Sequence, residues 1–296
     1  MTPLHTVQGV LSIDKPSNIS SHDVVNRIRR LTGIRRVGHA GTLDPLATGV
    51  LLVCIGRATR LVEYLVGRPK WYEATIRLGQ TTDSYDADGD IVAERPFSHI
   101  TPADISRALM PFQGEIQQLP PMFSAIKKDG QPLYKLARQG IEIERTPRTV
   151  NIYRLELLNI DLPFIQLRVH CSTGTYIRSL AHDLGTALGC GAHITALRRT
   201  AVGDFDLETA VSLTDLTPEQ LIAHLHPIDR AVAHLPRVDF AQPDASRLLL
   251  GQSVTAVSTH PESTFIRAYD YKGTFLGIIQ RTQTGWQAQK MFPPLS

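Results

Sequence analysis

The chain has 296 residues, of which 42% are hydrophobic and 20% charged, and its formal net charge is +3. This composition is typical of a globular protein with room for one large and one small domain. Its longest apolar run, residues 50–55, is too short to span a bilayer. No signal peptide is predicted, and three widely spaced cysteines without a CxxC pair fit a cytoplasmic protein.

The first predicted elements are a strand and a helix. Residues 9–14 have the pattern of a strand. Ser20 or Ser21 can cap an amphipathic helix that ends at Gly33, because a small polar residue favours a helix start and glycine favours its end. The arginines of this helix lie off its apolar face, so they point to solvent or to a ligand.

Residues 38–49 carry three glycines and an Asp-Pro step, and they lead into the apolar run 50–55. This composition predicts a shaped loop, since it suits neither a helix interior nor a central strand. A buried strand behind a loop is a rigid mount for a reactive side chain. Asp44 is the carboxylate of this segment and therefore the candidate reactive group, although an Asp-Pro step on its own is usually a simple turn.

The remainder of the chain alternates strands with a few helices. Strand patterns cover 71–78, 149–160 and 164–171, and a strong amphipathic helix covers 175–188. Residues 113–149 are rich in proline, glycine and basic side chains, which predicts an insertion that projects from the core. Strands outnumber helices and are often sequential, so the predicted fold class is mixed α/β (α+β) around a central, mainly antiparallel sheet. After about residue 235, short alternating runs indicate a small β-rich module.

Arg178 offers Asp44 a charge partner. It lies in the first turn of the predicted helix, where a cation opposes the helix dipole, and this local cost points to a carboxylate nearby. An Asp–Arg contact lowers a carboxylate pKa by about 1–3 units, which would keep Asp44 ionised. Taken singly, Tyr72 is explained by core packing and His39 by a loop hydrogen bond.

We predict no metal site and no cofactor. The stretch around Ser84 superficially resembles a calcium loop, but its first position is not Asp and its twelfth, Arg95, cannot bind a cation. We interpret the acids at 83–90 as the solvated end of a hairpin. The histidines lack ligand spacing, and no phosphate-binding glycine motif is present.

Several segments together resemble the motifs of the TruB-type tRNA pseudouridine synthases. They are, in the order of the family, Asp14-Lys15-Pro16, residues 38–49, Tyr72 with residues 78–83, Gly174-Thr175-Tyr176-Ile177-Arg178, and Gly191-Ala192-His193 with Leu197-Arg198-Arg199. The resemblance spans about residues 8–230, and the insertion at 113–149 also fits. The C-terminal module resembles a PUA-like RNA-binding domain in its position in the chain and in its pattern of short strands.

The resemblance implies conversion of uridine to pseudouridine at position 55, in the T-arm of tRNA. It makes Asp44 the catalytic aspartate and Arg178 its ion-pair partner, while Tyr72 stacks on the target base. It gives substrate-binding roles to four further residues. His39 occupies the space that the flipped base vacates, Tyr176 and Leu197 line the uridine pocket, and Lys15 supports the catalytic loop.

The resemblance also implies a catalytic domain at 1–235, with an RNA-clamping insertion at about 113–149, and a C-terminal PUA-like domain at 236–296. The reaction is an isomerisation, so neither cofactor nor metal is expected. The expected partner is the T-arm of tRNA; we expect no membrane association, no required protein partner, and a cytoplasmic monomer. Two alternatives stay open, a non-catalytic RNA chaperone and a guide-RNA-dependent synthase. Whether Asp44 attacks C1′, attacks C6 or removes the 2′ proton also stays open.

Overall fold

The computed structural model describes residues 7–124, 126–128, 130–214, 216–255 and 262–293. Its helices are α1 (Ser21–Thr32), α2 (Val62–Val66), α3 (Pro102–Leu109), α4 (Leu133–Ala137), α5 (Ile177–Ala187), α6 (Pro218–Ala223) and α7 (Gln242–Leu249). Three 3₁₀ turns lie at Gly56–Leu61, Met110–Phe112 and Ile228–Val232. In this part of the chain, every helix is too short or too polar to cross a membrane.

The strands fall into one large sheet, a C-terminal sheet and two hairpins. The large sheet contains β1 (Gly9–Lys15), β2 (Val37–Ala40), β3 (Thr48–Ile55), β4 (Lys70–Leu78), β7 (Gly114–Gln118), β10 (Arg148–Asp161), β11 (Phe164–Cys171), β12 (Ala192–Val202), β13 (Phe205–Asp206) and β14 (Val211–Ser212). The hairpins are β5 (Gln80–Thr82) with β6 (Ile91–Glu94) and β8 (Lys127–Lys128) with β9 (Gln131–Pro132). The C-terminal sheet contains β15 (Arg237–Phe240), β16 (Phe265–Asp270), β17 (Phe275–Thr282) and β18 (Gly285–Met291).

The large sheet has the order β14-β1-β3-β12-β4-β11-β10-β7, with β2 paired to β3 and β13 to β12. Its strand pairs are antiparallel except β1–β14 and β3–β12. The mixed fold with a central, mainly antiparallel sheet is therefore confirmed. The short parallel pairing of β3 with β12 aligns Arg198 with Thr48 and Arg199 with Gly49. It joins the end of the glycine-rich segment to a strand about 150 residues away.

Strand β3 lies at the centre of the core, because its two faces are both covered. Leu51, Val53 and Ile55 pack in the cluster that contains the apolar faces of α1 and α5. Leu52 and Cys54 pack on the opposite side, in a cluster that includes residues of the C-terminal sheet. Burial on both faces explains why this strand is a continuous apolar run instead of an alternating one.

Helix α1 has the predicted ends. Ser20 accepts a hydrogen bond from the backbone of Asp23 in a capping box, and Gly33, at φ 72°, closes the helix through a bond to the carbonyl of Arg29. The glycine-rich segment differs from expectation. Residues 38–40 lie in β2, which pairs only with β3 in the part of the chain described, and an edge strand tolerates glycine there. The loop proper is residues 41–47, named here the Asp44 loop.

Two further predictions concern the insertion at 113–149 and the C-terminal module. The proposed insertion at 113–149 begins within the large sheet, because β7 pairs with the start of β10. Only residues 119–147 leave that sheet. The predicted C-terminal β-rich module is present as β15–β18 with α7 packed against it. It contacts the rest of the chain through Lys290, whose Nζ donates to the carbonyl of Arg60 at 2.7 Å.

Candidate active site

The Asp44 loop faces the N-terminal end of α5. The Nε of Arg178 lies 3.0 Å from Oδ2 of Asp44, and its Nη2 donates to Oδ1 at 3.1 Å. One hydrogen bond and one ion-pair contact therefore join the two side chains, and two points of contact fix direction as well as charge. The Arg178 side chain is 5% exposed and that of Asp44 is 35% exposed, so the carboxylate is the member of the pair that is open to a substrate.

Arg178 has a second carboxylate partner. Its Nη1 lies 3.3 Å from Oδ2 of Asp86, whose side chain is 7% exposed, and Asp86 also accepts from the Ser84 hydroxyl at 2.6 Å. The interpretation of residues 83–90 as a solvated hairpin end is therefore wrong for Asp86. The physical reason is a turn at Tyr85, which has φ 65° and stacks on His182 of α5 at 4.0 Å, holding this segment against the helix.

The pKa of Asp44 differs from the sequence-based expectation. Burial raises it above the usual value, and the negative charge of Asp86 adds to that rise. Arg178 and Lys15 oppose the rise without reversing it. The expectation of a lowered pKa was wrong because it considered the arginine and omitted desolvation and the second carboxylate. Asp44 therefore ionises at higher pH than a free aspartate.

The Asp44 loop is anchored on both sides of Asp44. Lys15 is fully buried, and its Nζ donates to the carbonyls of Pro16, Ile19 and Pro45 at 2.8, 2.8 and 3.2 Å. Burial lowers the pKa of Lys15 to about 8. On the other side, Ser21 Oγ accepts from the Leu43 backbone N–H at 2.8 Å and donates to the Leu43 carbonyl at 3.0 Å. The residues flanking Asp44 are thus held by buried groups of β1 and α1.

Comparison with known proteins identifies the family. The model of the N-terminal domain of TruB family pseudouridylate synthases matches residues 29–177, and that of the tRNA pseudouridylate synthase B C-terminal domain matches 178–233. A tRNA pseudouridine synthase B from Dehalococcoides mccartyi (strain CBDB1) is 46% identical over 292 residues, 97% of either chain. The chain belongs to the TruB family.

Further relatives agree with this membership. A tRNA pseudouridine synthase B from Pseudomonas aeruginosa (strain UCBPP-PA14) is 44% identical over 95% of this TruB chain and 94% of the relative. Among solved structures, a Cbf5-Nop10-Gar1 complex contains a chain with TM-score 0.74 and 28% identity, covering 99% of this chain and 86% of that one. The matched C-terminal domain ends at 233, before the β15–β18 module, so the domain boundary at 235 stays a prediction.

Tyr72 and His39 of this TruB chain both approach Arg199. Tyr72, in β4 beside Arg199 of β12, is 7% exposed, and burial raises its pKa while the charge of Arg199 opposes the rise. Little of the ring is open to a base, so stacking stays a prediction. His39 lies in β2, half-buried, and its Nδ1 has no hydrogen-bond partner among the residues that the structure describes. Burial and Arg199 lower the pKa of His39.

Tyr176 immediately precedes α5, and Leu197 lies in β12. The backbone of Tyr176, the residue before α5, is held by Gln118, which accepts from its N–H at 2.7 Å and donates to its carbonyl at 2.9 Å. Leu197 is 8% exposed and, with Leu46, lines an open cavity of about 520 Å³. Among the residues that the structure describes, no group of three or more His, Cys, Asp or Glu side chains could hold a metal.

Sequence reasoning missed four residues that shape this site: Ser21, Asp86, Gln118 and Arg199. Each acts through a contact more than 20 residues away along the chain, which no local pattern reveals. A weak signal existed for Asp86, because Asp86 and Asp88 alternate with other residues before Gly89. The motif that ends in Arg199 was recognised, but it carried no role for the arginine.

Gly49→Ala is expected to destabilise the protein. Gly49 has φ +98°, and an added Cβ would lie 2.2 Å from the carbonyl oxygen of Arg199. The backbone conformation alone costs an alanine about 1–3 kcal/mol, and the clash adds to this. Thermal unfolding should show a clear loss for Gly49→Ala. Gly38→Ala is the control, since its Cβ meets nothing within 4 Å, and equal melting temperatures for the two variants would contradict the prediction.

Proposed function

We propose that this TruB enzyme isomerises uridine 55 in the T-arm of tRNA, using Asp44 as the catalytic carboxylate on a flipped-out base. The observation that carries the proposal is the two-point contact between the buried Arg178 and the one-third exposed Asp44. The name of the relatives, tRNA pseudouridine synthase B, supports a tRNA substrate. The choice of the T-arm position rests on the motif resemblance.

The isomerisation of uridine needs a carboxylate and no cofactor, and Asp44 supplies the carboxylate. The reaction breaks the bond between N1 and C1′ of the uridine, turns the uracil, and forms a bond between C5 and C1′. C5 loses its proton to solvent and N1 gains one, so atoms and electrons balance without an oxidant, a reductant or a group donor. An ionised carboxylate serves as nucleophile or base in such a step. Arg178 directs the Asp44 carboxylate and opposes its protonation.

The substrate uridine must leave the base stack to reach Asp44. Extruding a base costs a few kcal/mol, which contacts in the enzyme have to offset. The cavity beside Leu46 and Leu197 adjoins the Asp44 loop and has room for a pyrimidine base. Leu197 supplies an apolar wall of this cavity, and the Tyr72 ring on the adjacent strand β4 is largely buried.

A tRNA enzyme that acts alone is favoured over a guide-RNA-dependent one. The relatives named tRNA pseudouridine synthase B are 39–47% identical to this chain. The matching chain in a structure of an H/ACA RNP bound to a substrate RNA is 27% identical. The greater similarity to the tRNA enzymes supports a protein that requires no further partner.

The proposal is tested with the purified protein alone and an unmodified tRNA transcript. Carbodiimide labelling followed by reverse transcription maps each pseudouridine to one nucleotide. We expect a single new stop, reporting position 55, and none in a transcript with cytidine at that position. Modification at another position would overturn the T-arm assignment. A requirement for added RNA or protein would overturn the assignment of a self-sufficient enzyme.

A further inference from the structure

Arg199 is a buried cation that donates three hydrogen bonds to backbone carbonyls near the Asp44 loop. Its side chain is fully buried in β12. Nη2 donates to the carbonyl of Gly41 at 3.0 Å, Nη1 to that of Thr42 at 3.3 Å, and Nε to that of Val50 at 2.7 Å. Gly41 and Thr42 open the Asp44 loop, while Val50 lies just after its end. One guanidinium therefore bridges the two ends of the loop.

The charges around Arg199 do not explain its burial. In the described part of the chain, no carboxylate lies within ion-pair distance of it, whereas the neighbouring Arg198 pairs with Asp14 at 2.7 Å. Two other buried cations are close enough to feel its charge, Lys15 and Lys70, and Arg199 helps to lower the pKa of each to about 8. Burying a cation near other cations costs free energy, which its hydrogen bonds must offset.

The backbone of Arg199 holds the same loop. Its register partner across the parallel β3–β12 pairing is Gly49, and the two chains are so close that a Cβ on Gly49 would clash with the Arg199 carbonyl. The main chain of Arg199 thus fixes where the loop rejoins the sheet. Its side chain fixes where the loop begins. The rigid fork of a guanidinium suits three acceptors, and a lysine ammonium cannot reproduce that geometry.

We propose that Arg199 is a positioning residue that fixes the ends of the Asp44 loop and so aims the Asp44 carboxylate at the target uridine. The proposal rests on the proposed function of Asp44. Arg199 acts through the loop backbone, and its neighbour Tyr72 lies beside it in β4. Lys15 and Ser21 hold the middle of the loop, so removing Arg199 loosens its ends without releasing Asp44 altogether.

The test compares Arg199→Lys and Arg199→Met with wild type and with Arg107→Met, which removes an exposed arginine of α3 paired with Asp104, away from the cavity and the Asp44 loop. We expect both Arg199 variants to bind tRNA within about twofold of wild type. Because a misplacement of about 1 Å can cost ~10²-fold in rate, we expect kcat to fall by that order with KM unchanged. The acid limb of the pH profile should stay in place, since Arg199 does not set the charge of Asp44. Arg107→Met should retain wild-type turnover.

Hydrogen–deuterium exchange measures the local opening of the Asp44 loop directly and does not depend on activity. Backbone amides of residues 41–47 should exchange faster in both Arg199 variants than in wild type or Arg107→Met. Unchanged exchange with wild-type turnover in Arg199→Lys would overturn the proposal. Equal losses of tRNA affinity and turnover would also overturn it, by making Arg199 a substrate contact. If wild-type protein made no pseudouridine, the proposed function would fail, yet the exchange measurement would still report on the anchoring of the loop.

Discussion

Asp44→Asn should reduce pseudouridine formation by at least ~10³-fold while leaving tRNA affinity within about twofold. Asparagine keeps the shape of the side chain but cannot act as nucleophile or base. Arg178 retains its second partner, Asp86, so the guanidinium is not left without a carboxylate. Single-turnover kinetics on a T-arm stem-loop, with affinity measured by filter binding, separates the chemical step from recognition.

A matched surface change controls for the loss of one carboxylate. Asp204→Asn removes a 51% exposed carboxylate that lies 3.5 Å from Arg68, and we expect wild-type turnover from it. Substantial pseudouridine formation by Asp44→Asn would exclude Asp44 as the catalytic group. Loss of binding in parallel with activity would instead indicate that Asp44 shapes the RNA surface. Binding with no turnover is the outcome that the geometry supports.

Local sequence signals predicted the elements that carry the site. The cap at Ser20 and the left-handed Gly33 were visible because capping depends on residues a few positions apart. The Asp44 loop was visible because glycine and proline restrict backbone choice locally. The motif resemblance placed Lys15 at this loop. In the structure, Lys15 holds the loop through a hydrogen bond to the Pro45 carbonyl.

The electrostatics of the site could not be obtained in the same way. The charge environment of Asp44 depends on Asp86, which reaches Arg178 only because the segment around Tyr85 folds against α5. The function of Arg199 depends on the parallel pairing of β3 with β12, which joins segments about 150 residues apart. Such contacts follow from strand order, and strand order is not encoded in any short stretch of sequence.

Arg178→Met should impair both turnover and stability. It leaves Asp86 buried without its cation, and breaking a buried ion pair by removing one partner costs about 3–5 kcal/mol. It also removes the strongest influence that opposes the raised pKa of Asp44. In the proposed function, activity requires ionised Asp44 and falls as pH drops through the pKa of Asp44, so the acid limb of the pH profile should move to higher pH. Arg178→Lys keeps the charge and loses the two-point contact, and it should show the smaller shift.

Asp86→Asn should shift the acid limb of the pH profile in the opposite direction from Arg178→Met. The negative charge of Asp86 helps to raise the pKa of Asp44, so neutralising it should move the acid limb to lower pH. The two shifts are measured from single-turnover rates between pH 5 and pH 9, alongside tRNA affinity at each pH. Shifts in the same direction, or no shift in either variant, would contradict a catalytic role for the ionised Asp44. A fall in affinity that matches the fall in rate for Arg178→Lys would make Arg178 a phosphate contact instead. Opposite shifts with preserved affinity require that Arg178 and Asp86 act on the reaction through the charge of Asp44.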